Sequence, residues 1–513
     1  MPILPPVKKH HRIRWTVLGV GAAGLIILIV GGWLFYRAIA VVNTQKLDGT
    51  NKKLGFFQQL SHLVTAGDRQ LQGEAEDRVN ILLMGIGGPG HDGPYLTDTM
   101  MVASYKPSTK QLAMISIPRD LVVDIPGYDY RKINNVLSIG RDIKYPGGGE
   151  AMAVKVVSDL LEMPIQYYAR VDFTGFEQVV DRLGGVTVNV ENAFTDYQYP
   201  TLNYGYQTIR FQVGQQTMNG DIALKYARSR HGNSGEGSDF ARARRQQKIL
   251  FAVKEKALSL GTLINPVKVS DLLGAIGDHS QTNMEVWEMV RLAKLVLDVN
   301  SDQVINKVID DSADGLLQAE TGLGGAFILV PRDRNYEDIR FFAQQIFLIG
   351  AAEKEGAKVL VVNAGAPVTL AASTAKSLAA FGLTTVSTPL TLTGTTVEQT
   401  QVITATAGQF PFTNQLLNLY RYARTTTTLS AWAQQTGDTA IAERLAEPVT
   451  TNVNAGLGNP NLVLVLGKDQ PASTARIIPV FTKPQTAVVT PTKTKTTTPT
   501  TKKPTTTNTN PKI

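Results

Sequence analysis

The chain of 513 residues contains no cysteine. That excludes disulfides, thiolate metal sites and cysteine nucleophiles, and leaves either side of a membrane open. Acidic residues are missing from both ends. Residues 1–14 carry Lys8, Lys9, Arg12 and Arg14 without an acid. Beyond Asp469 the chain carries Arg476, Lys483, Lys493, Lys495, Lys502, Lys503 and Lys512, again without an acid. These eleven positive charges exceed the net +8 of the whole chain, so the body between the ends is slightly acidic. A broad basic surface for nucleic acid is therefore excluded, despite the pI near 9.3. A helix is also missing where one glycine pattern would need it. Gly85, Gly87 and Gly90 follow a strand-like run, Val79–Met84, in the G-x-G-x-x-G spacing. Pro89, Gly93 and Pro94 break the chain next, so no helix N-terminus can receive a dinucleotide's pyrophosphate.

Of the long uncharged runs, one is almost wholly apolar. Trp15–Tyr36 is 22 residues without a charge. At 1.5 Å per residue it spans a hydrocarbon core of about 30 Å. Trp15, Trp33 and Tyr36 sit near its ends, where amphipathic rings favour the interface. The basic cluster before it predicts a cytoplasmic N-terminus, a single-pass anchor in the cell membrane, and an extracytoplasmic remainder. The run is longer than a signal-peptide core, and no clear small-x-small cleavage site follows it.

The rest divides by composition. Residues 1–14 are a cytoplasmic basic tail, 15–36 the transmembrane helix and 37–77 a juxtamembrane connector. From 78 to 347 strand-like runs alternate with helical ones: VNILLM, TMMVASY and QLAMISI, then patterns at Gly147–Leu161, Tyr167–Val171, Phe173–Leu183 and beyond. The expectation is an α/β domain with a central sheet covered by helices. Residues 348–356 read as a linker. A smaller C-terminal α/β domain occupies 357–468, beginning with the strand Lys358–Asn363. Residues 469–513 form a tail, Thr-, Lys- and Pro-rich from 482, with too few hydrophobics to fold.

Chemistry concentrates in Tyr226–Gln247, which holds Arg228, Arg230, Arg242, Arg244 and Arg245 with Asp239. Tyr226–Arg230 alternates, and reads as an extended strand with Arg228 and Arg230 on one side. A Gly/Ser/Asn loop follows. Ser238 or Asp239 then caps a helix on which Asp239, Arg242, Arg245 and Gln246 fall within about a third of the circumference. Guanidiniums converging from two elements suit a multiply charged phosphate.

Seven ordered blocks together carry a resemblance. They are VNILLMG, TDTMM (Thr97–Met101), SIPRD (Ser116–Asp120), KIN (Lys132–Asn134), Tyr167–Val186, the G-x-x-A-L-x-Y-x-R-x-R run (Gly220–Arg230) and D-F-x-R-x-x-R-Q (Asp239–Gln246). The chain resembles the LytR–CpsA–Psr (LCP) family of cell-envelope enzymes over roughly 78–347, and residues 357–468 are similar to the C-terminal domain often attached to them. The resemblance implies a transferase that moves a glycopolymer from a polyprenyl-diphosphate carrier to a cell-wall acceptor such as a peptidoglycan hydroxyl. Magnesium or another divalent cation would assist, and the polyprenyl tail would lie in an apolar tunnel.

On that resemblance Arg119, Arg228, Arg230, Arg242 and Arg245 match diphosphate-clamping arginines, and Gln246 a polar partner beside them. Asp98 matches a metal-ligand aspartate. Asp239 matches the acid near the reacting phosphate, placed to bind the acceptor hydroxyl or take its proton; it also suits a helix N-cap. Asp239, Arg119 and Arg242 are the expected catalytic residues, and Asp120 an ion-pair partner of Arg119. The sequence departs from the pattern twice. The family's second aspartate falls at Gly87, and an arginine before the TDT block falls at Leu96. Asp92, or His91, is expected to substitute as metal ligand; the alternative is one carboxylate completed by diphosphate oxygens and water. The missing aspartate also motivates a second reading, a polyprenyl-phosphate or glycopolymer binder with little transferase activity. A third, a transcriptional regulator, conflicts with the acidic body and the anchor.

Overall fold

The computed structural model describes residues 69–431 apart from 202–204, 260, 262–264, 298, 301–302, 387–389, 393–395, 405–407, 424 and 429–430; it also describes 434, 460–471 and 478. The expected anchor at Trp15–Tyr36, the basic N-terminal tail, most of the connector and nearly all of the C-terminal tail lie outside these residues. Among the described residues no helix is long and apolar enough to cross a membrane.

The N-terminal unit is built on β1 (Val79–Ile86), β2 (Thr97–Lys106), β3 (Gln111–Ile117), β4 (Tyr167–Asp172), a hairpin of β5 (Phe194–Pro200) and β6 (Tyr206–Phe211), β7 (Ser280–Thr282) and β8 (Val304–Val308). Six of these form one sheet in the order β7-β4-β1-β2-β3-β8. β1 pairs antiparallel with β2 and parallel with β4. The Gly/Pro loop after β1 thus returns the chain into an adjacent antiparallel strand, as the missing helix signal requires.

The period-2 rule sorts side chains to the sheet's two faces. Leu82, Met84, Met100, Val102, Ile115 and Ile117 enter the main core. They meet Met152, Val156, Val157 and Leu160 of α1 (Gly148–Leu161). Each fully buried side chain of this kind contributes about 1.5–3 kcal/mol. Val79, Ile81 and Tyr167 face the other way, packing with Met284 and Trp287. That second face also receives the long helix bearing the arginine cluster. Three more helices frame the site: α2 (Phe173–Arg182), α3 (Gly220–Arg228) and α4 (Asp239–Ser259). Gln247 of α4 seats the helix on the sheet by donating to Ser116 Oγ at 3.0 Å and to the Lys307 carbonyl at 2.9 Å.

Two expectations are corrected. Tyr226–Arg228 is the last turn of α3, not a strand. Asn219 caps that helix, its side chain accepting from Ile222 N at 3.0 Å. Ala223, Tyr226 and Ala227 form its buried stripe at i, i+3 and i+4. A five-residue alternation is too short to outweigh that stripe. Arg228 therefore ends a helix and Arg230 follows it in the loop. Residues 348–356 are also no linker. After α5 (Glu337–Gln344), the helix α6 (Ile346–Glu355) buries Ile349, Gly350 and Ala352, and a Cβ on Gly350 would lie 2.5 Å from Ile305 Cδ1. The helix ends at Gly356, whose φ of 65° suits glycine.

The C-terminal unit has β9 (Lys358–Asn363), α7 (Leu370–Ala380), β10 (Gln401–Thr404), α8 (Pro411–Arg421) and β11 (Leu462–Leu466). β11 pairs parallel with β9 and antiparallel with β10. Phe342 of α5 stacks against Phe381, and both belong to the core cluster that includes the first sheet. The two units share one continuous core.

Candidate active site: a guanidinium clamp

Arg119 follows the end of β3, where Pro118 stops the ladder. Its Nη1 donates to Asp98 Oδ1 of β2 at 2.6 Å. Its Nε lies 3.4 Å from Asp120 Oδ2 and 3.7 Å from Asp239 Oδ2. That Nε is buried and has no hydrogen-bond partner. Lys132 donates to Asp120 at 2.6 Å, so Asp120 serves as the expected ion-pair partner of a cation pair.

Asp239 opens α4 but does not cap it. Ser238 does, its hydroxyl accepting from Ala241 N at 3.0 Å. This frees the Asp239 carboxylate, which receives Arg230 in a two-point fork at 2.7 and 3.1 Å. Arg242 Nη1 lies 3.2 Å from the same carboxylate, and its Nη2 donates to the Asp98 carbonyl at 3.2 Å. One carboxylate thus gathers Arg119, Arg230 and Arg242. Arg228 spreads its guanidinium 3.9 Å from the Phe173 ring centre and donates to Tyr199 Oη at 3.3 Å. Gln246 donates to the Ala227 carbonyl at 3.3 Å.

Of these groups, Asp98, Arg119, Arg228, Arg230, Arg242 and Gln246 line a cavity of about 160 Å³, and Asp239 lies in the wall of a smaller cavity beside it. Burial opposes the charge of Arg242 and lowers its pKa to about 10; the guanidinium stays protonated at neutral pH. Burial also raises Asp239, but Arg242, Arg230 and Arg119 outweigh it and hold the carboxylate below its ordinary range. Asp239 is therefore a poor proton acceptor near neutrality and a good counter-ion. Its stabilising contribution is full above the ordinary carboxylate pKa and is lost as pH falls through its own, lower value. The melting-temperature gap between wild type and Asp239→Asn should be full near neutral pH and begin to narrow only below about pH 4. A constant gap would show that the charge is not what stabilises.

Arg245 is not in the cavity, contrary to expectation. Its Nε donates to the Tyr226 carbonyl at 2.9 Å and its Nη1 to the Glu236 carbonyl and carboxylate at 3.0 and 2.5 Å. Its Nη2 donates to the Ser229 carbonyl. The side chain is 2% exposed and packs 4.9 Å from the Phe194 ring centre. Four of its five N–H groups are thus engaged by protein acceptors, and the side chain does not line the cavity. Helix geometry accounts for this. Arg242 and Gln246, four residues apart, share a face, while Arg245 points about 60° to the other side, toward the loop.

Asp92 is exposed and lines neither the cavity nor the smaller one beside it. Space at Gly87 is taken by His91: a Cβ at 87 would lie 2.9 Å from His91 Cβ. The His91 ring packs edge-on against Phe173. Among the described residues no three His, Asp or Glu side chains gather as a metal cluster. Asp98 is the one carboxylate in the wall of the larger cavity. This fits a hard cation such as magnesium, which takes one or two carboxylates and fills its other positions with phosphate oxygens and water.

Sequence reading missed Phe173, Tyr199, His231 and Asp196. Phe173 follows a strand within a recognisable block. Tyr199 and Asp196 sit on the β5–β6 hairpin, whose sequence has no chemical motif.

Fold and site define an α/β domain with a cluster of four guanidiniums at the ends of the interior strands β2 and β3. The chain belongs to the LytR_cpsA_psr family, whose description matches residues 38–322. It is 33% identical over 297 residues to the polyisoprenyl-teichoic acid–peptidoglycan teichoic acid transferase TagU of Oceanobacillus iheyensis, covering 56% of this chain and 82% of that protein. It is 34% identical over 200 residues to the regulatory protein MsrR of Staphylococcus aureus, covering 39% of this chain and 55% of that one. Among solved structures, TagV of B. subtilis aligns at a TM-score of 0.41 and 28% identity, covering 53% of this chain and 97% of that chain.

Proposed function

We propose that this protein is a membrane-anchored phosphotransferase that moves a glycopolymer from a polyprenyl-diphosphate carrier to a peptidoglycan hydroxyl outside the cell membrane. The observation that carries the reading is the cavity wall: Arg119, Arg228, Arg230 and Arg242 converge beside Asp98, with a buried Arg119 Nε that makes no hydrogen bond. Four guanidiniums, less the Asp98 and Asp239 carboxylates paired with them, leave two positive charges for the two negative charges of a disubstituted diphosphate. The relative from O. iheyensis, by its name, acts on a polyisoprenyl-linked teichoic acid and peptidoglycan. The uncharged run Trp15–Tyr36 would tether the domain near such a carrier.

Phosphoryl transfer depends mainly on positioning and charge neutralisation. The acceptor oxygen forms a bond to the phosphorus that carries the glycopolymer. The P–O bond of the anhydride breaks, and polyprenyl phosphate leaves with the electron pair. Arg119, Arg228, Arg230 and Arg242 hold the diphosphate oxygens and stabilise the charge that develops on them. Asp239 keeps three of these guanidiniums in place and accepts a hydrogen bond from the acceptor hydroxyl, whose proton passes to solvent. A magnesium ion held by Asp98, when bound, would supply further charge neutralisation. In the presence of inorganic pyrophosphate, Asp98→Asn should weaken manganese binding read by EPR about tenfold or more. Unchanged binding would remove Asp98 from the metal site.

Purified full-length protein with a polyprenyl-diphosphate-linked glycopolymer, peptidoglycan and magnesium should yield attached polymer and free polyprenyl phosphate. Binding of the carrier without release would favour the second reading, a binding protein. The observation on that side is the absent carboxylate at Gly87, together with the pairing of Asp98 to Arg119.

A further inference from the structure

We propose that Asp196, on the β5–β6 hairpin, is a positioning residue that fixes the backbone from which Arg230 reaches the clamp. This rests on the reading of the cavity as a diphosphate site. Asp196 is fully buried. Its Oδ2 accepts from Ser229 Oγ at 2.6 Å and from the backbone amides of Arg230 and His231, both at 3.2 Å. Its Oδ1 accepts from Gln198 N at 2.9 Å. Every one of these four donors lies in the arginine loop or in the hairpin itself.

The neighbouring residues extend the seam. Thr195 N donates to Asn233 Oδ1 at 2.8 Å, and Asn233 N donates to the Thr195 carbonyl at 3.1 Å. A bridge joins Asp196 to Gly232. Arg245 holds the same segment through the carbonyls of Tyr226, at the end of α3, and of Ser229 and Glu236 in the loop. A buried anion thus takes the loop's amides and a buried cation its carbonyls. With the amides of Arg230 and His231 and the carbonyl of Ser229 all engaged, the backbone at 229–231 is held in one arrangement, and the Arg230 side chain leaves it toward Asp239 already aimed. The hairpin also carries Tyr199, which contacts Arg228. Asp196 therefore ties the Tyr199-bearing wall of the cavity to the arginine-bearing one.

A carboxylate is required by the donor count. Three donors converge on Oδ2 and a fourth on Oδ1. In an asparagine, whichever way it turned, the amide nitrogen would face at least one N–H. Burial favours the protonated carboxyl, but the Ser229 hydroxyl and the three amides outweigh it and keep the group ionised.

The test uses inorganic pyrophosphate binding by calorimetry, transfer kinetics and thermal melts on the full chain. Asp196→Asn should weaken pyrophosphate binding about tenfold and lower kcat by about 10²-fold, as expected when charged groups lose their preset aim. Ser229→Ala removes one of the four hydrogen bonds and keeps the carboxylate. It should melt near the wild-type temperature yet lose about threefold in pyrophosphate affinity. A purely structural role would lower the melting temperature of both variants and leave the affinity of the folded protein unchanged. If Asp196→Asn fails to fold, Ser229→Ala decides: wild-type affinity there overturns the proposal. Wild-type protein that binds pyrophosphate but transfers nothing refutes the transferase reading and leaves this inference to stand on the affinity ratios. Wild-type protein that binds no pyrophosphate overturns both.

Discussion

Arg242→Ala should lower the rate of transfer by about 10³-fold or more, with the fold retained. Arg242 is the most buried of the cavity's four guanidiniums. It meets the Asp239 carboxylate and the Asp98 carbonyl, each at 3.2 Å, and lies in the wall of both cavities. In phosphoryl transfer the protein has little covalent work to do, so a lost cation appears directly in the barrier. Stability should change far less. Asp239 keeps Arg230 in its two-point fork, and removing Arg242 also removes a guanidinium whose burial is unfavourable. Arg242→Lys should recover part of the binding but little of the rate, because an ammonium cannot span two acceptors as a planar fork does. Transfer assays beside thermal melts check this. A folded Arg242→Ala protein with near-wild-type turnover would remove this arginine from the mechanism.

Arg245→Ala should instead destabilise by about 3 kcal/mol, because it leaves the half-buried Glu236 carboxylate and three carbonyls without this donor. For a domain of this size that corresponds to a drop of roughly 10 °C in melting temperature. Arg245→Lys should rescue little, since three ammonium protons cannot serve the Tyr226 and Ser229 carbonyls and both Glu236 oxygens together. The motif resemblance alone gives the opposite expectation, a stable protein with weakened diphosphate binding. A melt of Arg245→Ala at the wild-type temperature, with pyrophosphate affinity reduced, would restore that view.

The two arginines differ by three positions in one helix, and their contrast marks where sequence reading stops. The central strands were legible because their apolar runs have a period of two and end at glycine, proline or polar turns. The long helix was legible from Ser238 as a cap and from its polar and apolar spacing. The segment Tyr226–Arg230 was misread because five residues carry too little periodicity to separate a strand from the last turn of a helix. The stretch 348–356 was misread because its Glu, Lys and Gly residues mimic a linker, while the apolar residues before them continue a buried helix. Asp196 carried no signal: an aspartate in a tyrosine-rich strand looks like a surface residue until its four donors are in place.

By itself the sequence determined the order of strands and helices, the membership of the family and the set of charged residues available to bind phosphate. These follow from local periodicity and from blocks with fixed internal spacing. Only the tertiary structure decided which charges face the cavity. Arg119, Arg228, Arg230 and Arg242 line it, Asp239 holds three of them together, and Arg245 turns away to hold the loop. The physical reason is that a guanidinium's role depends on which acceptors surround it. Those acceptors, the Asp98 carbonyl, the Ser229 carbonyl and the Asp239 carboxylate, come from separate elements that meet only when the sheet, the hairpin and α4 have packed.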